Sequence, residues 1–461
     1  MTLTVTTIYT AQWLLPISSS PIKNGGLAVN GSKIAGVGPR DELTRLFPEG
    51  AVQELGPAII LPGLVNTHSH LELTAMRGYL EHEETNFFSW LRKLTLARLN
   101  LMTEDDIEVS ALWGACEAVR AGTTAVGDAS DLGRSSMKAL KMIGLRGTVF
   151  QESFGPDAKL AQENFATLKT KVDEMRSLET DLVRVGVSPH SPYTVSGPQL
   201  ELIAAFALNE NLPLMIHAAE SIAEELLIRN GTGPFAEGLQ KRNISWDVPG
   251  ISPIQHLHKR GILNTNALLA HCIRVNQEDL EIIAANGAMI AHCPKSNAKL
   301  GHGFASLSEF LKNGINVGLG SDSVASNNTC DMIEETRFAS LLSRAVAPPG
   351  GVKERVSLSE SLRLATSGGA ACLDLSESGS LHVGANADFI AVSIAGAHQT
   401  PGYDPEATLL FASSGRDVSL TVVDGRELYR QGRLLTVDEE RLNARISEVS
   451  RKLMSHEYSS S

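Results

Sequence analysis

Through the middle of this chain, short apolar runs alternate with longer amphipathic stretches. The runs are Ile59–Val65, Thr123–Val126, Arg146–Phe150, Arg184–Val187, Pro213–Ile216, Ala267–Ala270, Ala288–Ala291 and Asn316–Leu319. Segments with helical spacing, such as Asp106–Ala121, Asp279–Ala285 and Leu307–Lys312, lie between them. The runs are apolar without strict alternation, the pattern of parallel strands covered on both faces. Eight strand-then-helix units predict an α/β fold, a (β/α)8 TIM barrel over residues 61–383. The gap between the first two runs is long. Residues 71–105 are therefore expected to form an extended loop and an extra helix over the barrel mouth.

The two ends of the chain have a different texture. Thr2–Ile8, Gly26–Val29 and Lys33–Val37 are short β-prone runs, punctuated by Gly25-Gly26, Asn30-Gly31 and Gly38-Pro39. The texture returns at Asp388–Val392 and Val418–Val423, where Asp424-Gly425 is a tight-turn signal. One small β-sandwich built from both ends is expected, from residues 1–60 with 384–440. Residues 441–461 should be a C-terminal helix with a frayed tail from Ser455 on.

Composition narrows the functional class. The 461 residues are 43% hydrophobic and 20% charged, as in ordinary globular proteins. A net charge of −12 argues against a nucleic-acid partner, which needs a cationic footprint. Five scattered cysteines without a C-x-x-C read as reduced. The first 22 residues hold no Lys or Arg, unlike a signal peptide. No apolar run approaches the ~20 residues that cross a bilayer. A cytoplasmic protein acting on a small molecule is expected, with a homo-oligomer left open.

The chemistry-bearing residues sit at the ends of the apolar runs. His68 and His70 are two apart at the end of the first, so both rings point to one face. His217 ends the fifth run and Asp322 the eighth, and catalytic groups of such barrels collect at these strand ends. Three nitrogens and one carboxylate suit Zn²⁺ first and Fe²⁺ second, with a position left open for water. The fourth run ends in Val187-Ser188-Pro189-His190, with no lysine to bridge two ions, so one metal is expected. Glu220, three residues past His217, is placed to pass a proton to a substrate ring nitrogen, or else only faces a helix dipole. His271 is the candidate that helps Asp322 take a proton from an attacking water. His190, between Pro189 and Pro192, and His292, ending the seventh run, are candidate substrate contacts or wall residues. In the lid segment, Phe87, Phe88 and Trp90 either stack on a flat ring or pack the extra helix. Arg92, Lys93 and Arg98 are either a solvated face or a clamp for a substrate carboxylate.

These motifs resemble the amidohydrolase superfamily, in its adenosine/cytosine-deaminase-like branch. The resemblance rests on Leu61-Pro62-Gly63-Leu64-Val65-Asn66-Thr67-His68-Ser69-His70, His217-Ala218-Ala219-Glu220, His292-Cys293-Pro294-Lys295-Ser296-Asn297, Gly320-Ser321-Asp322-Ser323 and Gly384-Ala385-Asn386-Ala387-Asp388-Phe389. It implies a hydrolytic deaminase in which Glu220 protonates a ring nitrogen and His271 and Asp322 accept protons. Ser323–Leu342 is similar to deaminases of methylthioadenosine and S-adenosylhomocysteine. Those usually carry Trp-Leu-Glu-Glu in the lid, where this chain has Trp90-Leu91-Arg92-Lys93. His68–Thr74 with Phe88-Ser89-Trp90-Leu91 and Arg98 looks more like aminodeoxyfutalosine deaminases of menaquinone biosynthesis, whose nucleoside carries a benzoate. That substrate is the lead expectation, with Trp90, Arg92, His190 and Glu220 as its contacts. A dechlorinating or amide-cleaving hydrolase, or a barrel without activity, are the other classes.

Overall fold

The computed structural model describes residues 6–83, 86–346 and 355–457. The expected opening strand is seen as Thr7–Thr10. Thr2–Val5 and the tail residues 458–461 lie outside the described residues.

Each of the eight apolar runs has a strand counterpart. We number these β1 (Leu64–Ser69), β2 (Thr123–Ser130), β3 (Arg146–Ser153), β4 (Val183–Pro189), β5 (Met215–Ala218), β6 (Leu268–His271), β7 (Met289–His292) and β8 (Val317–Leu319). They form two four-stranded parallel sheets, in the orders β4-β3-β2-β1 and β5-β6-β7-β8. Parallel bridges join the sheet edges at both seams: Val187 with Leu214, and Ser69 with Asp322. Helices follow most strands, and their ends are set by local signals. Thr103 and Asp106 form a capping box on Glu104–Arg120, and Asn276 with Asp279 does the same for Gln277–Ala285.

The structure corrects the first run. Ile59–Val65 is not one strand but two that belong to different sheets. Ala58–Pro62 pairs antiparallel with Phe389–Ser393, and β1 starts at Leu64. The chain crosses over at Gly63, whose N–H donates to the Asp388 carbonyl at 3.0 Å. A Cβ at Gly63 would lie 1.9 Å from Thr124 Oγ1, so only glycine fits the crossing. Several strands also run further than their apolar stretch. β2 continues to Ser130 and β3 to Ser153, through Asp128 and Glu152. These polar ends are where chemistry is displayed, and ladder hydrogen bonds carry them despite their composition.

Two further sheets come from the chain ends. Lys33–Pro39, Gly25–Asn30, Thr7–Thr10 and Ala51–Glu54 form a four-stranded sheet. A seven-stranded sheet contains Ala58–Pro62, Phe389–Ser393, Val418–Val423 and Arg426–Arg430. Leu27 and Val29 of the first sheet share a buried cluster with Ile60, Phe389 and Leu420 of the second. The expected turn at Asp424-Gly425 has positive φ at both residues, as a tight hairpin requires. A buried ion pair, Arg146 Nε to Asp388 Oδ2 at 2.8 Å, ties the start of β3 to this region.

The segment after β1 contains the extra helix, Phe87–Leu101, capped by Asn86. Its Trp90 and Leu94 pack with Val449 and Leu453 of the C-terminal helix Glu439–Glu457. The last helix thus braces the lid. Among the described residues, no helix is long and apolar enough to cross a membrane.

Candidate active site

His68 and His70 project from the end of β1, and His217 from the end of β5. Asp322 lies just past β8, where its N–H donates to the His68 carbonyl at 2.9 Å. The four converge. His70 Nε2 is 3.2 Å from His217 Nε2, and Asp322 Oδ1 is 3.4 Å from His68 Nε2 and 3.6 Å from His70 Nε2. Ligands 2.0–2.1 Å from one tetrahedral ion stand about 3.3–3.4 Å apart, so these spacings fit a single shared cation. The hydrogen-bond pattern agrees. His217 Nδ1 donates to the His190 carbonyl at 2.7 Å, and His68 Nδ1 faces the Met215 sulfur at 3.0 Å. Both rings therefore turn Nε2 inward, and buried His68 Nε2 has no hydrogen-bond partner. Two inward lone pairs 3.2 Å apart repel unless a proton or a cation lies between them.

Burial pushes the basicity of this imidazole group down, and each ring lowers its neighbours further. His70 falls to about 4, and His217 well below its ordinary value. Asp322 is pushed up by burial, but its contact with His68 and the nearby His271 and His70 outweigh that and hold it well below the usual carboxylate range. Neutral imidazoles beside an ionised carboxylate are the protonation states a divalent ion requires. Asp322 Oδ2 is turned away from the rings, accepting from Ser296 Oγ at 2.5 Å and Ser326 Oγ at 2.9 Å.

Glu220 and His271 stand beside this group. His271 Nε2 is 3.7 Å from Glu220 Oε1. His271 Nδ1 donates to Asn297 Oδ1 at 2.9 Å, which leaves Nε2 as the free base nitrogen. Tyr193 donates its hydroxyl to Glu220 Oε2 at 3.2 Å. The backbone under Glu220 is held by a second acid. Fully buried Glu224 accepts from the Ala219 N–H at 2.8 Å and the Glu220 N–H at 2.7 Å, one with each carboxylate oxygen. Ala219 is left-handed there, with φ of +52°.

A cavity of about 1140 Å³ opens onto these groups. His70, His217, Asp322, Glu220 and His271 line its floor, together with His190. Trp90 and Arg92 line the lid side, Trp90 buried and Arg92 exposed. The other two lid cations have partners within the protein, although Arg98 also lines the cavity. Lys93 Nζ lies 5.0 Å over the Tyr79 ring. Arg98 is buried in an ion pair with Asp131 at 2.7 Å, and Glu72 is 3.7 Å away. His292 is buried outside the cavity lining.

Residues 59–428 match the profile of the amidohydrolase family. The chain belongs to that family. This amidohydrolase is 31% identical over 437 residues to the 5-methylthioadenosine/S-adenosylhomocysteine deaminase of Nitratidesulfovibrio vulgaris, covering 93% of each chain. A zinc-bound adenosine deaminase from Xanthomonas campestris superposes with a TM-score of 0.85 at 24% identity, over 97% of this chain and 98% of that one. The zinc-complexed atrazine chlorohydrolase of Arthrobacter aurescens superposes nearly as well, at 0.82 and 23% identity, over 96% and 100%. The structural likeness shows the fold alone, since two different chemistries share it. The family match together with the deaminase relatives makes the protein a hydrolase acting on carbon–nitrogen bonds.

A third group of possible ligands, Glu152, His190 and His217, also lies within 4.8 Å. It shares His217 with the first group, and the two His217 nitrogens face the His190 carbonyl and the His70 side chain. Sequence reasoning missed several residues of the site. Tyr193 stands three residues past His190 in the same Pro-rich turn, and Ser296 and Asn297 lie inside the His292–Asn297 motif, so their positions carried a signal. His302, whose Nε2 is 3.7 Å from Glu220 Oε1, lies on a loop with no pattern around it.

Proposed function

We propose that this amidohydrolase is a metal-dependent deaminase that converts the 6-amino group of an adenine nucleoside to 6-oxo. One observation carries the reading. A buried three-imidazole, one-carboxylate cation site and the Glu220–His271 pair share the floor of one cavity large enough for a nucleoside. In this reading the eight parallel strands form one closed barrel, bounded at residues 61–383. Residues 1–60 and 384–440 form the composite β-sandwich.

His68, His70, His217 and Asp322 would hold the ion, with Zn²⁺ first and Fe²⁺ second. When bound, it supplies Lewis acidity that makes a water nucleophilic near neutral pH. The remaining steps belong to side chains. His271 Nε2 and Asp322 take protons from the attacking water. Glu220 delivers a proton to the ring nitrogen next to the reacting carbon, steadied by Tyr193. A C–O bond forms, the exocyclic amine gains one of the two protons taken from the water, the C–N bond breaks and ammonia leaves, while the second of those protons restores Glu220. His190 lies against the floor as a substrate contact, its Nδ1 held by Thr194 Oγ1 at 2.8 Å.

For the nucleoside's 5′ group we favour an anion, as in 6-aminodeoxyfutalosine. Arg92, Lys241 and Arg242 line the cavity together and are exposed. The competing reading is a thioether nucleoside, supported by the relative's name and by the apolar wall of Phe87, Phe88, Leu91 and Phe235. Ammonia release from aminodeoxyfutalosine, S-adenosylhomocysteine, methylthioadenosine and adenosine separates them. A strong preference for the first supports the anion reading, and a preference for the thioethers removes it. No release from any of the four removes the deaminase reading itself.

A further inference from the structure

We infer that Glu152, at the end of β3, is the residue that binds the sugar hydroxyls of the substrate. The inference rests on the nucleoside reading above. Glu152 lines the cavity, is 5% exposed, and its Oε1 has no hydrogen-bond partner. Every other buried acid of the cavity wall is engaged. Glu72 accepts from Ser130 Oγ at 2.6 Å and from the Leu132 N–H at 3.1 Å. Asp131 pairs with Arg98 at 2.7 Å and Lys171 at 2.9 Å. Glu220 accepts from Tyr193, and Asp322 accepts from Ser296 and Ser326. Glu220 Oε1 and Asp322 Oδ1 face the imidazoles at 3.4–3.7 Å, whereas Glu152 Oε1 is buried with no hydrogen-bond partner.

A buried acceptor without a protein donor costs free energy that a donor from water or ligand offsets, and Glu152 lines the cavity where a ligand can supply one. Glu152 lies within 4.8 Å of nitrogens on His190 and His217, one residue's breadth from the reaction floor. Phe154, two residues on, has its ring 4.7 Å from that of His190 and also lines the cavity. The acid therefore stands between the reaction floor and an aromatic wall, where the sugar of a nucleoside bound through its purine would lie. A sugar presents hydroxyl donors there and no cation is needed. Arg98, on the lid helix, is committed to Asp131 and does not neutralise Glu152 by a direct bond.

A site built around a buried acceptor rejects analogues that lack the donor far more strongly than an apolar pocket does. The test compares adenosine with 2′-deoxyadenosine and 3′-deoxyadenosine in the metal-loaded protein and in Glu152→Leu and Glu152→Gln. We expect the wild type to prefer the ribonucleoside by about 10- to 100-fold in kcat/KM over at least one deoxy form. Glu152→Leu should lower kcat/KM for adenosine by much more than for the deoxy forms, so that the ribo/deoxy ratio collapses towards one. Glu152→Gln, which keeps one acceptor, should lie between. Binding of inosine, the expected product, gives a readout without turnover: Glu152→Leu should weaken inosine but not 2′,3′-dideoxyinosine. Equal losses on ribo and deoxy compounds overturn the inference while the deaminase reading stands. No ammonia from any adenine nucleoside with the wild type overturns both.

Discussion

Replacing Arg98 by methionine tests whether the lid cation is structural. Arg98 is 9% exposed and lies among Glu72, Asp131 and Glu152. Removing one partner of a buried pair costs about 3–5 kcal/mol, because the other charge is left uncompensated. Asp131 would keep Lys171 at 2.9 Å, and Glu72 would keep its hydroxyl and N–H donors. The lower end is therefore expected, about 3 kcal/mol. Unfolding entropy near 2.1 cal/mol/K per residue, over 320 to 460 residues, converts that to a Tm lower by about 3–5 °C. The pH dependence has a definite sign. Burial pushes Asp131 up, but Arg98 and Lys171 outweigh it and hold its carboxyl low, so its stabilisation is present above its ordinary value and lost as pH falls through the lowered one. Glu152 is pushed well above its usual range by burial and by Glu72 and Asp131, and Arg98 opposes this. Its raised value makes the fold less stable as pH rises through it. Without Arg98 both carboxyls take up protons at higher pH, so the deficit of Arg98→Met should shrink as pH drops from about 8 to 5. Calorimetric melts across that range, with Asp131→Asn and the double variant as a cycle, read both effects. A Tm unchanged at every pH, with only KM raised for anionic substrates, would refute the structural role and return Arg98 to the substrate.

Other outcomes follow from the floor of the cavity. His217→Ala should lose bound metal and ammonia release together, read by elemental analysis and a coupled ammonia assay. Glu220→Gln should retain the metal yet lose about 10²- to 10⁴-fold in kcat, and near-normal turnover would end its role as proton donor. Asn297→Leu frees the His271 Nδ1–H and should cost about 10-fold or more in kcat with metal content unchanged. Arg92→Ala should raise KM for a benzoate-bearing nucleoside more than for adenosine, whereas Lys93→Ala should move neither.

The eight strands were legible because parallel strands buried on both faces leave compact apolar runs. The convergence of His68, His70, His217 and Asp322 was legible because each comes within five residues of the end of such a run, as His217 follows Leu214-Met215-Ile216. The break inside Ile59–Val65 was not legible. Both halves are apolar and both are buried, so nothing in their hydrophobicity marks the change of sheet, and only Gly63 hints at it. The lid cations show the opposite failure. Arg92, Lys93 and Arg98 look alike along a helix, yet Arg92 lines the cavity exposed, Lys93 covers an aromatic ring, and Arg98 lines the cavity buried against acids. Their roles depend on what β2 and the segment after β1 place opposite them. Side chains from distant loops, such as His302 against Glu220, leave no local pattern at all.

Three site residues have backbone conformations that L-residues seldom adopt. Ala219, His271 and Asp322 all have positive φ, at +52°, +75° and +57°. Each lies where a strand stops and the chain turns sharply. Such conformations cost on the order of 1–3 kcal/mol and persist only where neighbours over-determine them. The neighbours are identifiable. Glu224 holds two successive N–H groups at Ala219 and Glu220, Asn297 holds the ring of His271, and the His68 carbonyl holds the N–H of Asp322. The strain does something a relaxed strand end could not. Successive extended residues would point their side chains to opposite faces, whereas the positive-φ residues interrupt that alternation where Glu220, His271 and Asp322 come together. Glu224 is therefore as much a part of the site as Glu220, although it touches no reacting atom. A neutral side chain of the same shape there would leave one of the two N–H groups facing another donor.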